Sequence, residues 1–94
     1  MRIVARYQRD AVKRRWPWCA YCRQPFGKGG RDFTVDHVVP LCRGGSKRTS
    51  NLVGCCRACN VAKGNRTPEE WLAELADAVQ EVQRMQASET AGVA

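Results

Sequence analysis

The sequence predicts a small α+β domain that zinc holds together, with one helix before it and one helix after it. Three observations support this fold class. Two Cys-x-x-Cys pairs enclose a segment of 33 residues, that segment contains a run typical of a β-strand, and an apolar pattern with helical spacing follows the second pair. A chain of 94 residues buries only a modest core. A metal or disulfides usually supply the missing stability at this size.

The first segment, residues 1–15, is a basic arm that the sequence predicts to be helical over residues 2–14. Its apolar residues recur at roughly helical spacing, and they are Ile3, Val4, Tyr7, Ala11 and Val12. Trp16-Pro17 ends the helix, because proline restricts the residue before it. The arginines of this arm could follow a phosphate backbone or simply form a solvated face.

Residues 16–66 form the predicted core. Phe33 to Val39 is rich in β-branched residues and indicates a strand that Pro40 ends. Asn51 to Gly54 is predicted to be short and extended, and a helix starting near Asn60 would stop at Gly64. The glycines at positions 44 and 45 allow either a close approach to a phosphate or an ordinary turn.

Residues 67–88 are predicted to be an amphipathic helix packed on the core. Thr67 can cap it, Pro68 suits the first helical position, and Glu70 completes a capping box. An apolar stripe is expected to face the domain, and it consists of Leu72, Leu75, Val79, Val82 and Met85. Residues 89–94 are predicted to be a disordered tail.

The two cysteine pairs, Cys19 with Cys22 and Cys56 with Cys59, have the spacing of a four-thiolate zinc site. A closed shell of four sulfurs leaves no open position, so this zinc should be structural. Cys55 competes with Cys56, but choosing it would break the symmetry of the two pairs. Cys42 has no partner. A disulfide scaffold is the alternative interpretation, and the absence of an export signal disfavours it.

Charge is divided unequally along the chain. Residues 1–66 hold fifteen basic and three acidic residues, a net charge of +12, whereas residues 67–94 hold one basic and six acidic residues, a net charge of −5. Such a concentrated positive field suits a polyanion such as nucleic acid, although it could also serve only solubility. With neither a signal peptide nor a membrane span in the sequence, we expect a cytoplasmic protein.

The segment between the cysteine pairs contains an ordered set of polar residues. Asp36-His37 ends the predicted strand, Asn51 follows His37 by fourteen residues, and Asn60 follows Asn51 by nine, directly after the second Cys-x-x-Cys. Over about residues 16–66 this run resembles the HNH endonuclease family. Its motif is Asp-His, a central Asn, and a final His or Asn.

The resemblance implies a ββα-metal fold that is treble-clef-like, and an enzyme that cleaves DNA phosphodiester bonds. By similarity, His37 would be the general base and Asn51 would brace the loop that orients it. Asp36 and Asn60 would ligate a catalytic divalent ion. Candidate DNA contacts are the basic residues Arg43, Lys47, Arg48, Lys63 and Arg66.

The chemistry of these residue types agrees with that interpretation. Imidazole has an ordinary pKa of about 6.5 and can accept a proton from water near neutral pH. Oxygen ligands suit Mg²⁺ or Mn²⁺. Asp36 is the only acid between Phe33 and Arg66, which favours one metal ion over two. Since neighbours on a strand face opposite sides, we expect a bend or bulge where Asp36 and His37 meet one phosphate, or an approach from two sides.

Two other classes of function remain. A non-catalytic zinc module that binds nucleic acid would need the cysteines and the basic surface but not Asp36, His37 or Asn60. A redox protein would not need a second matching Cys-x-x-Cys pair. The resemblance also leaves a homodimer and phage packaging or terminase proteins as candidate partners, because small stand-alone relatives are frequent in phages.

Overall fold

The structure, a computed structural model, describes the backbone of residues 4–92 and the side chains of residues 4–88. Its regular elements are α1 (Arg6–Arg15), β1 (Phe33–His37), β2 (Leu52–Cys56), α2 (Arg57–Lys63) and α3 (Pro68–Gly92). Short 3-10 turns cover Lys28–Gly30, Leu41–Arg43 and Thr49–Asn51. The two-stranded sheet, the helices and the four-cysteine cluster confirm the predicted α+β zinc fold.

The hairpin of β1 and β2 is the centre of the fold. The strands are antiparallel, and Phe33 pairs with Cys56 at one end while His37 pairs with Leu52 at the other. Side chains alternate between the faces of a strand. Phe33 therefore points into the apolar core, and Asp36 points to the opposite face, where α2 contacts it. The face that carries Phe33 and Leu52 is mostly apolar, and the face that carries Thr34 and Asp36 is more polar.

The apolar face packs against α1. Val12 of α1 is buried with Phe33 and Leu52, and partly buried neighbours complete this cluster. The helix begins at Arg6, four residues after the predicted start, because Ala5 is extended and precedes the first helical residue; it ends at Arg15, one residue after the predicted end. Ile3, which contributed to the predicted pattern, lies outside the described residues.

The loop after β1 makes a compact turn. Gly44 has a φ of 86°, a left-handed conformation that favours glycine. A Cβ on Gly45 would lie 1.8 Å from the carbonyl oxygen of Val39, so no larger residue fits there. Between the two roles that the sequence left open for these glycines, the structure favours the ordinary turn.

Helix α2 follows β2 without a loop. It begins at Arg57, three residues before the predicted start, because Cys56 serves as its cap: the sulfur of Cys56 accepts a hydrogen bond from the backbone N–H of Cys59 at 3.4 Å. The helix ends as predicted at Gly64, whose φ of 57° is unfavourable for residues with side chains.

Helix α3 begins with the predicted capping box. The hydroxyl of Thr67 accepts a hydrogen bond from the backbone of Glu70 at 3.2 Å, and the carboxylate of Glu70 accepts one from the backbone of Thr67 at 2.9 Å. Trp71 then contacts Tyr21 edge to face, with ring centroids 5.3 Å apart. Helix α3 is thereby anchored to the core at its first turns.

The rest of α3 differs from the prediction. Its apolar stripe does not face the domain, since the five side chains from Leu72 to Met85 are between 49% and 65% exposed. Beyond its first turns the helix also outreaches the hairpin, since 25 helical residues extend about 37 Å, whereas five-residue strands span about 17 Å. The helix also continues to Gly92, beyond the predicted end at residue 88, and residues 93–94 of the predicted tail lie outside the described part. None of the described helices is both long and apolar enough to span a membrane.

Candidate active site and zinc centre

Four cysteine sulfurs lie close together where the tight turn of residues 19–22, the first knuckle, contacts the end of the hairpin. The Sγ atoms of Cys19, Cys22, Cys56 and Cys59 all lie within 4.8 Å of one another, and those of Cys22 and Cys56 are 3.9 Å apart. In a tetrahedral site with zinc–sulfur bonds of about 2.3 Å, the sulfurs are about 3.8 Å apart. The four sulfurs therefore fit a zinc ion, and they are the four that the spacing predicted.

The thiols of this cluster influence one another. Burial raises the pKa of Cys19, but hydrogen bonds from the backbone of Cys22, Cys56 and Tyr21 outweigh it and lower the value to about 7. Burial and the neighbouring sulfurs raise the pKa of Cys59. Four thiolates at this distance repel one another, so a cation is needed to hold them all ionised.

The other two cysteines lie outside the cluster. Cys55 is fully buried, its Sγ is 3.3 Å from the hydroxyl of Thr34, and burial raises its pKa to about 12. It is therefore a protonated core residue. Cys42 is exposed on the turn after β1 and lines the cavity described next.

Asp36 and His37 line one cavity of about 230 Å³. Both residues are buried, at 1% and 3% exposure, and they end β1 at the point where the chain bends through residues 38–39. Strand pairing runs unbroken through both residues, so the bend follows them and is not placed between them; neighbours on a strand face opposite sides, and Asp36 and His37 therefore border this cavity from two directions. The other residues of the cavity wall are Pro40, Leu41, Cys42, Gly64 and Asn65.

The carboxylate of Asp36 is held from two sides. The ammonium of Lys63 lies 2.9 Å from its Oδ2, and the hydroxyl of Tyr21 donates to the same oxygen at 2.6 Å. Lys63 is fully buried and also donates to the backbone carbonyl of His37 at 3.2 Å. Burial, and then the carboxylate of Asp36, raise the pKa of Tyr21, so this phenol keeps its proton.

Asn60 lies on the same face of the hairpin but borders a different cavity. Its Nδ2 donates to the hydroxyl of Thr34 at 2.9 Å. The cavity beside Asn60 shares Gly64 and Asn65 with the cavity of Asp36 and His37. The structure thus brings Asp36 and His37 together and places Asn60 next to them, in an adjoining space.

Asn51 fastens the loop that follows His37. Its Oδ1 accepts from the backbone of Val39 at 3.0 Å, and its Nδ2 donates to the carbonyls of Val39 at 3.0 Å and Ser46 at 2.8 Å. Its own carbonyl accepts from the backbone of Val38 at 2.9 Å. One side chain therefore closes the turn between β1 and β2.

Of the five predicted DNA contacts, two are exposed and three are paired with acidic side chains. Lys47 and Arg48 are exposed in the loop. The other three pair with acids of the chain itself. Arg43 makes two hydrogen bonds to Glu70 at 2.7 and 3.0 Å, which raises the pKa of the guanidinium and lowers that of Glu70 to about 2. Arg66 pairs with Glu74, and Lys63 is buried against Asp36.

Two partners of the site were not expected from the sequence. Tyr21 is the inner residue of the first cysteine knuckle and contacts Asp36 across the fold. Glu70 was predicted only as a capping residue, yet it also holds Arg43. No pattern in the sequence indicates either contact, because each joins two segments that are distant along the chain.

The fold and its site define a hairpin and helix joined by a four-cysteine cluster that fits zinc, with an Asp-His pair at the end of the first strand. Residues 19–76 match the family model described as HNH endonuclease, so the chain belongs to the HNH endonuclease family. The family supports a nuclease function in general terms.

One relative is the CRISPR-associated endonuclease Cas9 of Corynebacterium diphtheriae (strain ATCC 700971 / NCTC 13129 / Biotype gravis). It is 40% identical over 67 residues, which are 70% of this chain. The match covers only 6% of that relative's length.

Proposed function

We propose that this chain hydrolyses DNA phosphodiester bonds with His37 as general base and one divalent cation. The observation that carries the proposal is the shared cavity of Asp36 and His37 at the end of β1. A base and an anionic oxygen ligand that border one space can act on one phosphate. In this reaction a water oxygen forms a bond to phosphorus, the bond to the 3′-oxygen breaks, and the imidazole accepts the proton of the water.

Asp36 and Asn60 are the residues that would hold the cation. Carboxylate and amide oxygens are ligands that Mg²⁺ and Mn²⁺ prefer, and Asp36 borders a cavity large enough for an ion with water. When bound, such a cation would polarise the phosphate and stabilise the leaving oxygen. Because the ammonium of Lys63 now lies against Asp36, the ion would have to share or displace this contact.

Asn51 acts as a positioning residue in this proposal. Its bonds to Val39 and Ser46 fix the turn directly after His37, so the imidazole keeps one orientation at the cavity. Exposed Lys47 and Arg48 on the same turn are the best placed of the predicted residues to contact phosphates. Arg43 and Arg66 contribute by holding α3 to the core.

The test is cleavage of a supercoiled plasmid by zinc-loaded protein with added Mg²⁺ or Mn²⁺. We expect nicked or linear DNA from the wild type and at least a 100-fold loss with His37→Ala, in line with removal of a general base. Zinc content and circular dichroism should be unchanged in the variant. His37→Gly should regain part of the activity with added imidazole, because free imidazole can occupy the space that the side chain of this single histidine leaves.

Equal cleavage by wild type and His37→Ala would refute the assignment of the base. DNA binding without cleavage under every divalent cation would instead support the alternative, a non-catalytic zinc module. A filter-binding or fluorescence-anisotropy measurement on the same preparations separates these outcomes.

A further inference from the structure

The exposed apolar stripe of α3 is the largest feature that the proposed function leaves unexplained. Five large apolar side chains on one helix face are each about half exposed or more. At the middle of the stripe a shallow depression of about 260 Å³ is lined by Leu75, Ala78, Val79, Val82 and Gln83. Contiguous apolar surface of this kind on a soluble domain usually marks an interface.

We propose that a second copy of this chain covers the stripe, with the two α3 helices packed antiparallel. Leu72, Leu75, Val79 and Val82 follow one another at steps of three, four and three residues, which is the spacing of a coiled-coil seam. A symmetric dimer uses the same patch on both chains, so the patch must be complementary to itself.

The stripe meets this requirement when one helix is reversed. Reversal about the level of residue 77 places Leu72 opposite Val82 of the second copy and Leu75 opposite Val79. Each of the four seam residues then has an apolar partner on the second copy.

The charges of α3 are compatible with a second copy on the stripe. The positions that flank the seam are uncharged, namely Trp71, Ala76, Ala78, Gln83 and Met85. In coiled coils these positions carry the charges that select or exclude partners. The charged residues from Glu74 to Arg84 lie away from the seam, so two copies of this acidic helix would not repel each other across it.

The charge of the whole chain favours the antiparallel direction. Residues 1–66 carry a net charge of +12 and residues 67–94 a net charge of −5. Parallel helices would place two basic cores side by side. Antiparallel helices separate the two basic cores, which lowers their mutual repulsion.

The mass of the zinc-loaded chain in solution tests the proposal. Sedimentation equilibrium over a range of concentrations should show a species of twice the 10.5 kDa chain mass. Val79→Glu should abolish it by placing charge at the centre of the seam. Gln80→Glu adds the same charge to an exposed neighbouring position and should leave the dimer intact. Helicity and zinc content, measured for each variant, show that folding is retained.

A charge-swap pair tests the direction. Leu72→Glu and Val82→Lys should each weaken the dimer, and the double variant should regain it, because these positions face each other only in the antiparallel arrangement. A monomer at all concentrations, or a dimer that Val79→Glu leaves intact, would overturn the proposal. A double variant no better than the single ones would overturn the antiparallel arrangement.

Two copies would also present two cleavage sites to one DNA, a consequence that rests on the proposed nuclease function. Val79→Glu should then nick plasmid but form linear product more slowly than wild type. If wild type forms a dimer and cleaves nothing, the nuclease proposal fails while the dimer stands. If wild type cleaves DNA but stays a monomer, the dimer proposal fails while the nuclease proposal stands.

Discussion

The ion pair of Asp36 and Lys63 is buried, so the stability of this small fold is sensitive to the loss of either partner. Transfer of either charge from water to the interior is costly unless the partner is present. Here the ammonium and the carboxylate oxygen are 2.9 Å apart, and Tyr21 adds a hydrogen bond to the same oxygen. The pair also joins α2 to the end of β1 through the carbonyl of His37.

Lys63→Met should therefore be strongly destabilising, since it leaves the carboxylate of Asp36 buried and uncompensated. We expect a loss of about 3–5 kcal/mol in the free energy of unfolding, measured by urea denaturation with zinc in excess. Lys47→Met, an exposed control in the neighbouring loop, should change it by less than about 0.5 kcal/mol. The double variant Asp36→Asn/Lys63→Met should lose less than Lys63→Met alone. A Lys63→Met variant as stable as the control would show that the pair contributes nothing.

Among the elements, α3 depends most on a local motif. The capping box of Thr67 and Glu70 starts the helix, and the carboxylate of Glu70 also accepts two hydrogen bonds from Arg43. The same side chain thus satisfies the helix terminus and ties the turn after β1 to α3. This double use explains why the pKa of Glu70 is lowered to about 2.

Glu70→Gln separates the two uses, because glutamine can keep the capping bond but loses the charge that pairs with Arg43. We expect a lower melting temperature at pH 7, whereas Glu69→Gln, a matched change in the same helical turn, should have little effect. The folded pKa of Glu70 lies below its ordinary value of 4.5. Its contribution is therefore complete above pH 4.5 and is lost as the pH falls toward 2. Equal melting temperatures for both variants at pH 7 would contradict the role given to Arg43.

At the scale of the whole molecule, the apolar core of the described residues is small, and a metal at the cysteine cluster would compensate. The buried cluster consists of Val12, Phe33 and Leu52, with a few partly buried neighbours. The cysteine cluster joins the first knuckle to the end of β2 and the start of α2. A link of this kind holds segments together that packing alone would not keep folded.

Removal of zinc should consequently unfold the domain. A strong chelator should abolish the cooperative thermal transition and most of the circular dichroism of the core, and added Zn²⁺ should restore both. Cys56→Ser should weaken zinc binding, whereas Cys55→Ser should leave one zinc per chain, since only Cys56 belongs to the cluster. An unchanged melting curve after chelation, with no zinc in elemental analysis, would disprove the structural role of the metal.

The sequence by itself determined the features that depend on local spacing. The cysteine pairs identified the four sulfurs, because a two-residue interval fixes the geometry of a knuckle. The capping box located the start of α3 to the residue, since its bonds lie within four consecutive positions. The order of Asp36, His37, Asn51 and Asn60 indicated the family that the later comparison established.

Only the tertiary structure decided what lies across the fold from each of these residues. Lys63 and Asp36 are 27 residues apart in the chain, and their burial against each other follows from the packing of α2 on the hairpin. The exposure of the α3 stripe depended on which elements pack against the helix, which spacing does not report. Local patterns fix local geometry, but a buried ion pair and an exposed apolar face result from distances that only the folded chain creates.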